Sequence, residues 1–267
     1  MAPIIVGSGG TGFEGKSDRI GLPVGTSDPG SSTAGEMYYN NSTNKIRIYN
    51  GSGWTDFSSS SALSFSVTDK WGFESNSLVS TGTSGSTISN SGATFSATAK
   101  TGTVALDFDG SNDYATFPGG ASTTNISIAF WIYWRGHNSS GRTYLTDLRG
   151  SNAGAGYWLI DSSNTMTFSI NGATESTHAF TPNANVWEHY AFVATDGGTA
   201  KIYRNGNLVI TVASTGATVN GNLVIGTYEG ARGSSGNYFM NAIIDNYVFH
   251  RGALTSPQIS ELYGGNI

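Results

Sequence analysis

The chain has 267 residues, of which 12% are charged, 37% hydrophobic and 12% aromatic, with 37 glycines and no cysteine. Charge is about half the usual ~25% and glycine about twice its usual ~7%, while the aromatic anchors exclude a disordered chain. The formal net charge of −5 leaves no basic surface for nucleic acid or anionic membrane, and the lack of cysteine excludes disulfides and thiolate metal sites.

No apolar run approaches the length of a membrane span. The start, Met1-Ala-Pro-Ile-Ile-Val-Gly7, lacks the basic-then-apolar pattern of a signal peptide, so display outside a cell is expected through lysis or an assembled particle. Residues 1–34 read as an extended attachment arm rich in Gly, Ser, Thr and Pro. Within it Gly7-Ser-Gly-Gly-Thr-Gly12 fits G-x-G-x-x-G, but no helix pattern follows, and a dinucleotide fingerprint fails without that context. Residues 35–57 read as a small β meander: Met37 to Tyr39 and Lys45 to Tyr49 are strands around the turn Asn40 to Asn44, and Trp54 and Phe57 anchor a third. A module this small buries too little surface to stand alone comfortably. Ser58 to Ser61 is a linker, and residues 62–267 form the main domain.

Weak strands are expected at Ser64 to Val67 and Ala93 to Ala97. Ala105 to Phe117 is the first strong stretch: Leu106 and Phe108 alternate with Asp107 and Asp109, the period of a half-buried strand. Gly110 to Asp113 then supplies turn chemistry. Ile126 to Trp134 is apolar on both faces near its end, as in a central strand. Tyr157 to Ile160, Met166 to Ile170, Trp187 to Val193, Leu223 to Ile225 and Ile243 to Phe249 follow. Ala200 to Ile210 is a hairpin whose Asn205-Gly206 pair suits a type I′ turn. One helix closes the chain, with Thr255 as cap, Pro257 in its first turn, Gln258 completing a capping box and Ile259, Leu262 and Tyr263 on one face. The fold class is all-β: an antiparallel two-sheet β-sandwich of jelly-roll type with a small N-terminal meander and arm.

The segments Phe108 to Tyr114 (F-D-G-S-N-D-Y), Ile126 to Ile132, Trp187 to Phe192 (W-E-H-Y-A-F), Lys201 to Gly206 (K-I-Y-R-N-G), Leu223 to Gly226, and Ile244-Asp245 through Arg251 to Thr255 stand in the order of the laminin-G-like branch of the concanavalin A-like lectin/glucanase superfamily. The chain resembles that branch over roughly residues 62–265. One departure is Phe239-Met-Asn-Ala242, where the family carries F-[DN]-G. Separately, Glu36 to Trp54 resembles a short element common in bacteriophage virion proteins, especially tail fibres.

Many members of the branch tie the loop after F-D-G to the last strand with a structural calcium ion, Ca2+. The resemblance thereby implies Asp109, Asn112, Asp113 and Asp245 as metal ligands, since calcium takes six to eight oxygens. The alternative is that Asp109 and Asp113 cap their own turn through backbone N–H groups. The E-x-D-x-x-E of the related glucanases is absent, and the seven glutamates are scattered. Glu188, between Trp187 and His189, reads as a solvent-facing residue on an alternating strand. No zinc or nucleophile-elbow motif occurs, so no catalytic residue is assigned. A glycan site is expected in the loops Arg135 to Tyr144, Gly150 to Gly156 and Tyr228 to Tyr238, with Tyr144, Tyr157, Tyr228 and Tyr238 as stacking aromatics.

The reading expected from these residues is a non-enzymatic phage virion surface protein, either capsid decoration (cement) or tail fibre. Residues 1–57 would attach it to other virion proteins, as a homo-oligomer such as a trimer, with a glycan as external partner. The other readings are a soluble carbohydrate-binding lectin or adhesin and, third, a glycoside hydrolase.

Overall fold

The computed structural model describes residues 22–56, 63–119, 123–137, 142–148, 157–161, 165–169, 176–178, 182–213, 222–228, 231 and 238–265, without the side chains of 157, 159, 169 and 176–178. The arm up to residue 21, with its Gly7 to Gly12 motif, Phe57 and the linker 58–61 lie outside the described residues. The chain divides into two compact units, Met1–Ser61 and Ala62–Ile267.

In the first unit four strands form one sheet in chain order: β1 (Val24–Gly25), β2 (Met37–Asn40), β3 (Lys45–Tyr49) and β4 (Trp54–Asp56). The sheet thus begins inside the stretch expected to be an extended arm, because Val24–Gly25 pairs in parallel with Tyr39–Asn40. Register puts Tyr38 opposite Arg47, and that face is locked by polar bonds: Tyr38 donates to Asp28 (2.7 Å), and Arg47 pairs with Asp28 (2.8 Å) and Asp56 (2.5 Å). The other face places Met37 opposite Ile48 and Tyr39 opposite Ile46. It is apolar and open, with Val24 66% and Met37 37% exposed.

The second unit is a two-layer sandwich. Its strands are β5 (Asp69–Trp71), β6 (Ser89–Ser91), β7 (Thr94–Ser96), β8 (Ala105–Asp109), β9 (Tyr114–Pro118), β10 (Ile126–Trp134), β11 (Arg142–Asp147), β12 (Tyr157–Asp161), β13 (Met166–Ser169), β14 (Ser176–His178), β15 (Trp187–Ala194), β16 (Thr199–Arg204), β17 (Asn207–Ala213), β18 (Asn222–Ile225) and β19 (Asn241–His250). One sheet runs β17-β16-β15-β10-β19-β8-β7 with β5 also on β19; the other runs β14-β13-β12-β11-β18-β9-β6. Their facing side chains form the core: Phe130 stacks on Tyr247 (5.7 Å) and meets Trp158 of the opposite sheet (5.2 Å). Ile126–Trp134 is central, as its two-sided apolar pattern demands, flanked by β15 and β19. The Asn205-Gly206 turn has both residues at positive φ, 49° and 77°, as a type I′ turn requires.

The helix, α1 (Ser256–Gly264), carries the expected capping box: Gln258 N–H donates to Thr255 Oγ1 and Thr255 N–H to Gln258 Oε1. Its Ile259 and Leu262 cover Ala129, Ala191 and Val248 on the outer face of the eight-stranded sheet. Ser64 to Val67 forms no strand. Val67 packs into that same outer cluster, and Ser64 Oγ donates to Glu261 (2.6 Å), so a side-chain anchor replaces a ladder there.

Candidate functional site at one rim of the sandwich

β8 and β10 end, and β9, β11, β15 and β19 begin, at one end of the sandwich. The described parts of their connections, 110–113, 135–137, 182–186, 226–228 and 238–240, therefore meet there. Gly150 to Gly156 joins β11 to β12 at the opposite end, and its residues lie outside the described ones, as do 138–141, 229–230 and 232–237.

Asp109 and Asp113 are brought together in the first connection. Asp109 N–H donates to Asp113 Oδ2 (2.8 Å), and Ser111 N–H donates to Asp109 Oδ1 (2.7 Å). Gly110, at φ +85°, lies so close to Asn241 that a Cβ would sit 2.9 Å from that residue's own. Asn112 is exposed, whereas Asp113 is buried, and burial raises the Asp113 carboxyl above the usual range.

Asp245 is placed elsewhere. β19 pairs with β8 over Asn241–Ile244 and with β5 over Tyr247–Phe249, so Asp245 and Asn246 fall in the gap between these neighbours. Asn246 takes φ 49°. The buried Asp245 carboxylate accepts backbone N–H bonds from Lys100 (2.8 Å), Thr101 (3.1 Å) and Asn246 (2.8 Å). It fills a hole in the ladder, which accounts for an acid at full burial. Removing it strands three N–H groups, so Asp245→Ala should cost about 2–3 kcal/mol, read from denaturant melts; a loss under about 0.5 kcal/mol would show that water replaces the carboxylate.

Calcium takes six to eight oxygens; of the four positions implied, Asp245 stands four residues along β19 from Asn241, the register partner of Asp109, with its carboxylate on backbone N–H groups. Among the described residues no group of three or more His, Asp or Glu could hold a metal. The melting midpoint should accordingly be equal in calcium and in EGTA; a midpoint higher in calcium by more than about 3 °C, equivalent to about 1 kcal/mol for a domain this size, contradicts this.

Three of the four tyrosines converge. Tyr144 and Tyr228 are 5.0 Å apart between ring centroids, Tyr228 and Tyr238 5.2 Å, and Tyr144 and Tyr238 6.1 Å. Tyr144 N–H donates to the Tyr238 carbonyl (3.2 Å), tying β11 to the connection before β19. Tyr144 is buried, whereas Tyr228 and Tyr238 are half-buried. Tyr238 holds φ +80°, a left-handed conformation costly for an aromatic residue; it stands just before the segment where the family's glycine is missing. Beside the cluster, the buried Thr227 hydroxyl has no hydrogen-bond partner among the described residues. Tyr157 is not part of the group: it pairs with Asp147 at the far end of β11, and its side chain lies outside the described residues.

Glu188 departs from the alternation expected of it. It is 4% exposed and accepts from Arg204 Nε (3.0 Å) and Nη2 (2.6 Å), Asn183 N–H (2.8 Å) and Nδ2 (3.0 Å), and the Tyr190 hydroxyl (3.1 Å). Its register partner Ile132 faces the core, so Glu188 points between the sheets and is neutralised there by Arg204. Every acceptor position is engaged, which leaves this carboxylate a structural part. The pair Arg135–Asp107, with Arg135 Nη1 to Asp107 Oδ2 at 3.0 Å and Nε to Asn241 Oδ1 at 2.9 Å, also lies at this rim and had no sequence signal beyond the outward phase of Asp107 on its strand.

Residues 109–260, more than half of the chain, match the Laminin_G_3 model of the Concanavalin A-like lectin/glucanases superfamily. The chain belongs to that superfamily. Among solved structures it is similar to the botulinum neurotoxin serotype D ligand-binding domain in complex with N-acetylneuraminic acid, at 15% identity and TM-score 0.62, covering 78% of this chain and 53% of that one. It is similar also to the botulinum neurotoxin serotype G binding domain, at 15% identity and TM-score 0.58 over 74% of this chain and 50% of that one. Domain 4 of an extracellular GH43 arabinanase from Geobacillus stearothermophilus, in complex with arabinotriose, matches at 18% identity and TM-score 0.57, over 74% of this chain and 98% of that one. The chain spans about half the length of the neurotoxin domains, and at these identities the likeness shows the fold. No curated protein sequence matches the chain. No helix among the described residues is long and apolar enough to cross a membrane.

Proposed function

We propose that this protein is a non-enzymatic glycan-binding domain displayed on a bacteriophage virion, as a capsid decoration or tail-fibre component, and attached through residues 1–57. The observation that carries the glycan reading is the tyrosine cluster at the loop-bearing rim of a lectin-superfamily sandwich. It joins Tyr144, Tyr228 and Tyr238, with a strained backbone at Tyr238 and an unpartnered hydroxyl at Thr227. Aromatic faces with a few aimed polar groups are how proteins hold sugars, and the sugar-bound relatives by fold support the same reading. Attachment through the N-terminal unit is supported by its open apolar face, since a sheet with one face locked and the other bare needs a partner to cover it. The phage setting rests on the resemblance of Glu36 to Trp54 to virion elements.

A glycan array probed with the native chain and with Tyr228→Ala tests the first part. The expected result is binding that the variant loses by about tenfold or more, the measure of one anchoring aromatic; an array without hits would refute it. Deleting residues 1–57 tests the second, for retention of the truncated protein on particles is incompatible with attachment through that segment.

A further inference from the structure

We propose that the outer face of the eight-stranded sheet carries a second saccharide site, separate from the tyrosine cluster, in which Trp187, Tyr133 and Tyr263 take two consecutive rings of a neutral oligosaccharide. Strand alternation fixes which rings point outward. Phe130, Ile132 and Trp134 of β10 belong to the core between the sheets, so Trp131 and Tyr133 face away from it. Register sets Tyr133 directly opposite Trp187, and Trp131 opposite His189.

The first step of the site is the pair Tyr133–Trp187, both half-buried, with centroids 5.7 Å apart and planes tilted by 58°. The second step lies two residues back along the strands, about 6.6–6.8 Å away at the usual strand rise. There Tyr263, from the last turn of α1, stacks on Trp131 at 5.4 Å and 27°. Trp131 is 5% exposed and Tyr263 40%, so Trp131 is the support and Tyr263 presents the face. The apolar cover provided by Ile259 and Leu262 ends here, which leaves these rings as a strip running from helix end to rim. Within the second step, opposite Trp131 and packed against Tyr263, lies the fully buried His189; among the described residues neither of its ring nitrogens nor the Trp131 indole N–H has a hydrogen-bond partner. Buried polar atoms ordinarily find partners, and these lie directly beneath the rings that meet the sugar.

The rim beside Tyr133 selects for neutral sugars. Arg135 reaches across from the end of β10 to β8 and spends its guanidinium on Asp107, Asn241 Oδ1 and the Phe108 carbonyl. The two charges cancel locally, and at the second step the Lys100 ammonium, 4.1 Å from the Trp131 ring, stands beside Asp245, the register partner of Trp131, so neither step carries a net charge. Two aromatic steps one strand repeat apart fit neighbouring rings of a chain better than a single sugar.

The test is calorimetric titration of the full chain with three neutral trisaccharides (arabinotriose, cellotriose and chitotriose) and with their monosaccharides. At least one trisaccharide should bind, about tenfold or more tighter than its monosaccharide. In a Tyr228→Ala background, which removes the contribution of the tyrosine cluster, Trp187→Ala and Tyr263→Ala should each weaken it by about tenfold. Tyr263→Ala removes a 40% exposed ring from the end of the helix and leaves the strands' own core side chains in place, so it reports where the strand variant fails to fold, and a thermal melt checks that both variants are folded. The proposal is overturned if no neutral trisaccharide binds, or if Tyr263→Ala changes nothing in that background. It is overturned also if Tyr228→Ala alone abolishes binding, an outcome that would assign the sugar to the tyrosine cluster.

Discussion

Glu188→Ala is expected to destabilise the sandwich by about 3–5 kcal/mol, the cost of leaving one partner of a buried ion pair alone. Glu188 is the hub of the 182–188 segment. Its two oxygens accept five bonds, from Arg204, Asn183 and the buried Tyr190 hydroxyl. Removing them takes five accepted bonds away from a guanidinium whose side chain is only 25% exposed, from Asn183 and from a phenol packed against Trp158. Glu188→Gln keeps the shape and part of the accepting capacity, so its loss should be smaller, the missing part being the charge of the Glu188–Arg204 pair. Urea denaturation reads both: the midpoint should fall with the slope unchanged. A loss below about 1 kcal/mol for the alanine variant would place the pair among solvent-screened surface ion pairs and contradict the burial argument. Because the carboxylate has no free acceptor, glycan binding at the tyrosine cluster should survive Glu188→Gln.

Local rules made the sandwich readable. The alternation in Ala105–Asp109, the two-sided apolar run Ile126–Trp134, the Asn205-Gly206 turn and the Thr255/Gln258 box each act within a few residues, and the structure uses each as chemistry demands. The site was only partly readable, because its pieces are assembled by register between distant segments. Alternation put Glu188 in water, but its phase on β15 is that of the core residues Tyr190 and Phe192, and the neutralising Arg204 sits on another strand. Asp245 matched a family ligand position, yet its bonds go to backbone N–H groups at Lys100 and Thr101, which leave no trace in side-chain identity. Tyr144, Tyr228 and Tyr238 could be named from their loops, whereas their convergence depends on the β11–β18 pairing and the Tyr144–Tyr238 backbone bond. Tyr157 looked equivalent in sequence and starts its strand at the far end. The Tyr133–Trp187 pair follows from the β10–β15 register alone.

His189 should make the domain acid-labile. Burial pushes its imidazole from the ordinary 6.5 down to about 3, because a charged ring packed against Trp131 and Tyr263 would be desolvated with no acceptor at either nitrogen. The charges nearest that packing oppose one another: the Lys100 ammonium stands 4.1 Å from the Trp131 ring, and Asp245 lies across Trp131 in register. With the folded value depressed, the unfolded chain binds the proton more tightly between pH 6.5 and about 3. Stability is then fully present above 6.5 and is lost as pH falls through that window, by about 2 kcal/mol at pH 5 from this one group. His250, also lowered by burial, adds in the same direction. Asp113 and Asp245 have raised carboxyls, so in the folded state they hold protons better than in the unfolded one. They gain stability as pH falls, which offsets part of the loss only near the carboxylate range. Comparing the native chain with His189→Phe isolates the imidazole, since phenylalanine forfeits no hydrogen bond where neither nitrogen has one. Denaturant melts from pH 7.5 to 4.5 should show the native chain losing about 2 kcal/mol more than the variant by pH 5. Parallel pH profiles would mean that His189 finds an acceptor or water in solution and stays protonatable in the fold.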